Sequence, residues 1–537
     1  MKISILSRIR PPEILAGGTV LLLILGFYFF ALQGVFSAGK SLSFQSFWQD
    51  DYLRHILLFS FGQALLSALL AIASGMIFAK SLFYLDFKGK SLLIKICSLT
   101  FVLPALVAIF GLIGIYGSSG WLAQLSTFFG IEWQLNIYGL TGILIAHLFF
   151  NIPLASRMFL QSFSAIPNEQ RQLAAQLNLR GWAFFRWVEL PYLRQQLPAV
   201  FGLIFMLCFT SFTIVLTLGG SPKYTTLEVA IYQAIMFEFD LTKAAFLAIM
   251  QFIFCFILFS LTQIFNKNIK SSISTSKVWL NKPLQGVRFF YFSIIILFSL
   301  FILLPLVNLV VTAIFSAKWQ SVLSMPLFWK STFYSISIAL FSALFSLLMA
   351  LAILFLARKL TYLYFERTAK FILNAGMTVL AIPTLVVAIG LFLLLQQIEF
   401  NQVHLFIIII LCNAFASLPF MLKTLSVPMN HNMQRYEKLC SSLHIQGWQR
   451  FRLIEWQSLS SPVKYAFCLA FCFSLGDFTA IALFGNQEFS SLPYLLYQQL
   501  GSYRMNEASV TAFILLLLCF MVFFIAERKN PQGTQND

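Results

Sequence analysis

The residues from Gly34 to Ser41 (GVFSAGKS) match the Gly-x-x-x-x-Gly-Lys-Ser/Thr pattern of loops that bind nucleotide phosphates. Such a loop follows a β-strand and opens a helix whose first amide groups hold the phosphate. Here the pattern ends a long apolar segment, so we interpret it as a chance match. The five histidines make no His-x-x-x-His pair, and no Gly-x-Ser-x-Gly nucleophile motif occurs. The sequence therefore predicts no catalytic residue, no metal site and no cofactor bound by this chain.

Asp477 is an acidic residue inside an apolar segment, beside Phe473 and Phe478. A carboxylate there costs roughly 2.5 to 3.5 kcal/mol on membrane-insertion scales, so some interaction should offset this cost. One interpretation is that Asp477 and Phe478 lie on the path of a positively charged substrate, which the charge and the ring faces would attract. The other is that Gly476-Asp477 is a local helix break, where the carboxylate binds free backbone amides. Ser211, which a repeat in the chain aligns with Asp477, is the third candidate on this path.

The composition is that of a protein embedded in a lipid bilayer. Of its 537 residues, 59% are hydrophobic and 10% are charged, whereas soluble domains carry about 25% charged residues. The net charge of +17 does not indicate nucleic-acid binding, because the basic residues lie between apolar segments and are not clustered in a soluble domain. The eight cysteines show neither a disulfide framework nor the spacing of a metal site.

Apolar segments long enough to cross about 30 Å of hydrocarbon recur along the chain, six in each half. They lie near residues 14–36, 55–78, 96–116, 139–160, 198–218, 244–265, 289–315, 332–357, 371–395, 403–425, 463–485 and 509–526. Most Lys and Arg residues fall on one side of the membrane if the N-terminus is cytoplasmic. The positive-inside rule then predicts that both termini lie in the cytoplasm.

In each half, a polar segment rich in aromatic and basic residues follows the fourth apolar segment. The first polar segment covers residues 172–191 (QLAAQLNLRGWAFFRWVELP) and the second covers residues 438–457 (KLCSSLHIQGWQRFRLIEWQ). A shift of 266 residues aligns them, matching Gly181 with Gly447 and Glu189 with Glu455. Each begins with leucines four residues apart, the spacing of one helix face, and breaks at Gly-Trp. We predict that each polar segment contains a short exposed helix that contacts a partner in the cytoplasm.

The repeat predicts an all-α integral membrane protein with twelve transmembrane helices in two parallel six-helix repeats. Because six is even, both halves enter the membrane from the same side, and an axis along the membrane normal relates them. We predict a first half of residues 1–275 with its core at 55–265, and a second half of residues 276–537 with its core at 330–526. The polar stretch 266–287 is the predicted linker.

The polar segments resemble the Glu-Ala-Ala loops of permeases from ATP-binding-cassette (ABC) importers, in which Glu-Ala-Ala-x-x-x-Gly precedes Ile-x-Leu-Pro. Ala174, Val188, Leu190 and Pro191 fit this pattern, whereas Asn178 stands at its glycine. Asn is the next best residue after glycine for a left-handed turn. The resemblance implies the type I importer permease fold, with a coupling helix in each segment that docks on an ATPase. The implied coupling residues are Gln172, Leu173, Ala174, Leu177, Asn178, Gly181, Trp182, Lys438, Leu439, Cys440, Leu443, His444, Gly447 and Trp448.

Longer runs, such as FSFGQALLSALL (59–70) and IFMLCFTSFTIVLTLGG (204–220), look like those of bacterial thiamine transporter permeases, and the likeness extends along nearly the whole chain. This resemblance implies an inner-membrane permease that moves thiamine from periplasm to cytoplasm. It also implies two copies of an ATPase, which uses the ATP, and a periplasmic binding protein as partners. The alternatives are a ferric-iron importer permease, also fused from two six-span halves, and an ion-coupled carrier. The carrier would need several charged residues at mid-membrane depth, and the apolar segments hold almost none.

Overall fold

The structure is a computed structural model that describes residues 11–38, 49–132, 135–265, 279, 285–316, 318–377, 379, 382–395, 402–443, 445, 447–485 and 489–527. The Gly39-Lys40-Ser41 end of the phosphate-loop-like motif and most of the predicted linker lie outside these residues. So does His444, and the side chains of Lys438 and Trp448 are not described either.

The described chain is built from α-helices and two π-helical turns, and it contains no β-strand in the described ranges. In chain order the helices are α1 (Pro11–Ala38), α2 (Asp51–Tyr84), α3 (Lys90–Thr100), α4 (Ala105–Tyr116), α5 (Trp121–Phe128), α6 (Leu140–Ser164), α7 (Asn168–Gln176), α8 (Gly181–Phe184), α9 (Leu190–Phe209), α10 (Phe212–Leu218), α11 (Leu227–Met236), α12 (Leu241–Phe265), α13 (Gln285–Ile314), α14 (Trp319–Leu323), α15 (Pro326–Tyr362), α16 (Glu366–Met377), α17 (Thr384–Leu395), α18 (Gln402–Ser442), α19 (Gly447–Arg450), α20 (Trp456–Gly476), α21 (Thr479–Phe484), α22 (Leu492–Gly501) and α23 (Met505–Glu527). The π-helical turns are π1 (Phe185–Glu189) and π2 (Phe451–Glu455).

The prediction of an all-α membrane protein is confirmed. Within the described residues, 11 helical segments are long and apolar enough to cross a membrane. Each corresponds to one of the predicted apolar segments. The segment predicted at 371–395 has no continuous counterpart, because α16 ends at Met377 and the short apolar helix α17 begins at Thr384.

Three further predicted segments are also interrupted, and each consists of two helices. The segment at 96–116 is divided between α3, which ends at Thr100, and α4, which begins after Pro104. Proline has no amide hydrogen with which to continue a helix. The segments at 198–218 and 463–485 break at Thr210-Ser211 and at Asp477. The two latter breaks differ by the repeat shift, so they are a feature of the fold and not of one half.

One compact unit consists of Ser43–Ala230 and Ile253–Phe315. Within it, α2 packs along α6 and α9, and α13 packs on α4 and α2. The contact of α4 with α13 brings the two backbones together, since a Cβ atom on Gly111 would lie 2.5 Å from the Pro305 carbonyl oxygen. Asn308 also donates from Nδ2 to the Gly114 carbonyl oxygen at 3.3 Å.

The other compact unit consists of Met1–Leu42, Ile231–Phe252 and Ser316–Asp537. Within it, α15 packs on α18 and α20, and α1 packs on α17 and α15. A Cβ atom on Gly390 of α17 would overlap the Ala31 carbonyl oxygen of α1. Thus α1, from the first half of the sequence, packs on helices of the second half, and α13 packs on helices of the first. The boundary at residues 275 and 276 describes the sequence repeat, and it stays a prediction.

All eight cysteines are buried free thiols. Their burial agrees with their positions in apolar segments, where a thiol packs as a small hydrophobic group. Cys440, in the second polar segment, is also buried at 1% exposure.

Candidate functional site

The first polar segment begins inside α7, which ends in a left-handed turn at Asn178. Asn178 has a φ angle of 51°, as the sequence predicts for the residue at the glycine position of the loop pattern. Its amide donates to the Ala175 carbonyl oxygen at 3.0 Å, and the Leu179 amide donates to that of Ala174 at 2.9 Å. These two bonds form a Schellman motif, which satisfies carbonyl groups left free at a helix end.

The second polar segment repeats one of these two hydrogen bonds. The Ile445 amide donates to the Cys440 carbonyl oxygen at 3.0 Å, the bond that the repeat shift predicts from Leu179 and Ala174. The helices before the turn differ, because Pro167 is the N-cap of a separate α7 in the first half. Met433 stands at the equivalent position, and α18 continues without interruption from Gln402 to Ser442.

The coupling residues divide into an exposed set and a buried set. Leu173 and Leu177 are exposed in the first segment, and Trp182 is 71% exposed. Leu439 and Leu443, the matching leucines of the second segment, are exposed as well. Ala174 and Cys440 face inward instead and are buried. Each directly follows an exposed leucine, and adjacent residues do not lie on the same face of a helix. Gln172 is exposed, and Gly181 has a φ angle of 56°.

Each segment then passes through a five-residue π-helical turn that ends in a buried glutamate. In π1, Glu189 Oε2 accepts a bond from Lys80 Nζ at 2.7 Å, and its Oε1 accepts one from Tyr84 Oη at 2.5 Å. In π2, Glu455 Oε1 lies 2.6 Å from Arg358 Nη1 and 2.9 Å from Arg450 Nε. The repeat aligns the two glutamates, but their ion pairs were not predicted from the sequence.

Arg171 is a buried cation immediately before the first segment. Its side chain is 2% exposed, and Nη2 donates to the Phe163 carbonyl oxygen at 2.5 Å. Its guanidinium also lies 4.9 Å from the centre of the Phe83 ring. Arg171 therefore fixes α7 to the end of α6 and to α2.

The three candidates for the substrate path lie at the two matched helix breaks. Asp477 follows the last residue of α20, and its oxygens accept bonds from the Thr479 amide at 3.2 Å and the Ala480 amide at 3.4 Å. This geometry is the local helix break with amide binding that one interpretation predicts. Ser211 precedes α10 and makes no such cap.

Phe478 is 1% exposed and faces two tyrosines of α22. Its ring centre lies 4.9 Å from that of Tyr497 and 6.3 Å from that of Tyr494. Aromatic rings so arranged next to a carboxylate offer both negative charge and ring faces.

Buried polar side chains in the membrane-spanning helices were not predicted. Gln63 Nε2 donates to the Cys208 carbonyl oxygen at 2.9 Å, and Ser67 Oγ lies 2.9 Å from His147 Nδ1. The repeat equivalent of His147 is Asn413, whose Nδ2 lies 3.0 Å from Ser474 Oγ. The matched positions of polar residues in two apolar segments were the signal available in the sequence. No group of three or more His, Cys, Asp or Glu residues that could hold a metal occurs within the described ranges.

Comparison with known proteins agrees with this architecture. Residues 71–271 match the family described as binding-protein-dependent transport system inner membrane component. The chain is 56% identical over 516 residues to the thiamine transport system permease protein of Haemophilus influenzae, with 96% of both chains covered. It is 42% identical to that of Escherichia coli, with 91% of both chains covered. It is 36% identical to that of Brucella abortus, with 96% of this chain and 92% of the relative covered. Similarity at this level along nearly the full length shows that the chain belongs to the family of thiamine transport system permease proteins.

Proposed function

We propose that this chain is the membrane-spanning permease of an ATP-driven importer that carries thiamine from the periplasm to the cytoplasm. The observation that supports this most strongly is the full-length similarity to permeases named for thiamine transport. The ferric-iron alternative is not favoured, because the relatives that share 36 to 56% identity with the chain are named for thiamine transport. The chain itself catalyses no reaction in this proposal, and a separate ATPase subunit supplies the energy.

Uptake by cells tests this function. A strain that lacks thiamine synthesis and its own thiamine importer is supplied with this chain, its ATPase and its binding protein. We expect growth on nanomolar thiamine and uptake of labelled thiamine, both of which an ATPase-inactive variant should abolish. Uptake that persists with the inactive ATPase would contradict the ABC mechanism and support an ion-coupled carrier. Competition by thiamine phosphates shows whether they are carried by the same route. Uptake of ferric iron without uptake of thiamine would contradict the proposal that thiamine is the substrate.

We further propose that the two polar segments bind two copies of the ATPase. The exposed leucines and Trp182 support this, because apolar side chains at matched places on helix ends are suited to an apolar groove on a partner. Replacing Gly181 and Gly447 with leucine should uncouple ATP hydrolysis from thiamine uptake while leaving membrane insertion intact. Undiminished uptake in both variants would contradict the docking role.

The proposed location is the bacterial inner membrane, with both termini in the cytoplasm. The distribution of Lys and Arg supports this orientation. Reporter fusions at the two termini should both be active as cytoplasmic reporters and inactive as periplasmic ones.

We also propose that Asp477, Phe478 and Ser211 lie on the path of thiamine. Thiamine carries a permanent positive charge, and Asp477 is an acid within an apolar span whose repeat equivalent, Ser211, is neutral. The fold therefore does not require a carboxylate at this place, although the hydrogen bonds of Asp477 to two amides give it a structural role as well.

A further inference from the structure

The two buried glutamates occupy the same place in both repeats, at the last residue of π1 and of π2. The side chain of Glu189 is fully buried and that of Glu455 is 3% exposed. A π-helical turn is rare, and such turns are frequently found at functional sites. Two such turns at equivalent positions, each ending in a buried carboxylate, indicate a purpose beyond the packing of one helix end.

Each carboxylate bonds to the end of one long helix. Lys80 and Tyr84, the partners of Glu189, lie in the last turns of α2, and Arg358 lies near the end of α15. Lys80 also lies 4.7 Å from the centre of the Phe185 ring, at the other end of π1. The second contact differs between the halves, since Glu455 also forms an ion pair with Arg450 of the preceding helix α19. What the halves share is therefore a charged link from the polar segment to α2 or α15.

Removing one member of such a link leaves a buried charge without its partner, and this outcome is strongly unfavourable. The link therefore holds the end of the polar segment to its long helix against displacement. An ion pair whose carboxylate is exposed, such as that of Lys90 with Asp86, could not do this, because water screens it.

The opposite ends of α2 and α15 make a second matched contact. Ser60 of α2 accepts a hydrogen bond from the Leu227 amide at 2.9 Å, and Ser335 of α15 accepts one from the Leu492 amide at 2.8 Å. Leu227 and Leu492 are the first residues of α11 and α22. From Ser60 to Lys80 the helix is continuous, a length of about 30 Å at 1.5 Å per residue, which is the hydrocarbon thickness of a bilayer.

We propose that Glu189 and Glu455 are positioning residues that make each polar segment move together with the long helix of its half. Movement of the segment by the ATPase then reaches the first residue of α11 or α22 through α2 or α15. This inference rests on the proposed function, because it requires an ATPase that moves the polar segments.

The test uses the complex of permease, ATPase and binding protein in lipid nanodiscs. The variants are Glu189→Gln and Glu455→Gln, with Glu169→Gln as the matched control, since Glu169 is an exposed glutamate of α7 just before the same segment. Tyr84→Phe removes one bond to Glu189 and keeps the ion pair, so it provides a milder variant if Glu189→Gln does not assemble. Two quantities are measured: amide hydrogen exchange at residues 181–190, and the ratio of ATP hydrolysis with loaded binding protein to hydrolysis without it.

We expect Glu189→Gln to accelerate exchange at residues 181–190 about tenfold and to lower the stimulation ratio by a similar factor, because a hydrogen bond to a charged group is lost. Tyr84→Phe should change both quantities in the same direction by a smaller factor, and Glu169→Gln should change neither. Glu455→Gln should accelerate exchange in the second segment only.

Faster exchange with an unchanged stimulation ratio would overturn the proposal, because the glutamate would then serve local stability alone. Unchanged exchange in Glu189→Gln would overturn it as well. If thiamine-loaded binding protein does not stimulate ATP hydrolysis by the wild-type complex, this result would contradict the proposed function. The exchange measurement does not depend on the substrate, so it still tests the link to α2 in that event.

Discussion

At the scale of single residues, Asn178 shows how a substitution in a loop pattern can preserve its backbone. Its left-handed conformation costs an ordinary residue about 1 to 2 kcal/mol, whereas asparagine tolerates it through local hydrogen bonds of its side chain. The turn sets the direction in which the chain leaves α7 toward Gly181 and Trp182. The identity of residue 178 therefore affects the surface that the partner would meet.

We predict that Asn178→Val weakens ATPase binding about 5- to 30-fold, because the strain of about 1 to 2 kcal/mol must be overcome to form the bound turn. Asn178→Gly should bind as well as the natural residue, since glycine adopts this conformation without strain. Titration of the permease in nanodiscs with ATPase measures both affinities. Equal weakening by valine and glycine would show that the asparagine side chain, and not the backbone, matters.

Asp477 allows the charge and the hydrogen bonds of one side chain to be separated. Asp477→Asn keeps the shape of the side chain and an oxygen that can accept a hydrogen bond from a backbone amide, so the start of α21 should remain capped. If the carboxylate attracts thiamine, this variant should lower the initial rate of uptake severalfold at unchanged protein level. Uptake at the original rate would refute the role of the charge. Asp477→Ala also removes the cap, which we expect to cost about 1 kcal/mol of stability in thermal unfolding.

At the scale of helices, α1 and α13 meet α17 and α4 through close backbone contacts. Gly111 and Gly390 each lie seven residues after the proline that precedes their helix, Pro104 and Pro383, and in each case the neighbouring carbonyl group occupies the space of a side chain. Small residues permit such close approach in membranes, where van der Waals contact replaces the hydrophobic effect as the main attraction between helices.

We predict that Gly390→Leu destabilises the protein by about 1 to 3 kcal/mol, because the larger side chain must displace the backbone of α1. Gly26→Leu is the matched control, since Gly26 lies on α1 and a Cβ atom there meets no neighbouring atom within 4 Å. Thermal unfolding in nanodiscs, followed by thiol accessibility of the buried cysteines, measures the difference. A similar loss of stability in both variants would contradict the importance of this crossing.

At the scale of the whole molecule, the two polar segments are similar in backbone and different in chemistry. The first has Gln172 and closes with Pro191, whereas the second has Lys438 and Gln457 at these places. The buried Arg171 fixes the first segment to α6, and the repeat places a glutamate, Glu437, at that position in the second. A symmetric pair of ATPase subunits would therefore meet two unequal surfaces.

We predict that the first segment contributes more to assembly than the second. Leu177→Ala and Leu443→Ala are matched substitutions of exposed leucines at equivalent positions. The first should reduce the amount of ATPase that copurifies with the permease more than the second does. Equal losses in the two variants would show that the chemical differences between the segments do not affect binding.

The sequence by itself determined the features that depend on local composition. A stretch of some 20 apolar residues crosses the bilayer whatever its neighbours are, so most spans, the repeat and the places of both polar segments follow from the order of residues. The left-handed turn at Asn178 is also local, because it depends on the residue's own backbone preferences. Its predicted position and conformation are both confirmed.

Only the tertiary structure decided which surfaces meet. Hydropathy predicts that α1 lies in the membrane. It does not predict that α1 contacts α17 through Gly34 and Gly390, since all faces of an apolar helix are alike in composition. The partners of Glu189 lie about a hundred residues away along the chain, at Lys80 and Tyr84, and no pattern within one segment contains that distance. The helix break at Asp477 depends on both sequence and structure. Gly476 indicates a break in the sequence, and the two amides that donate to the carboxylate show that it forms.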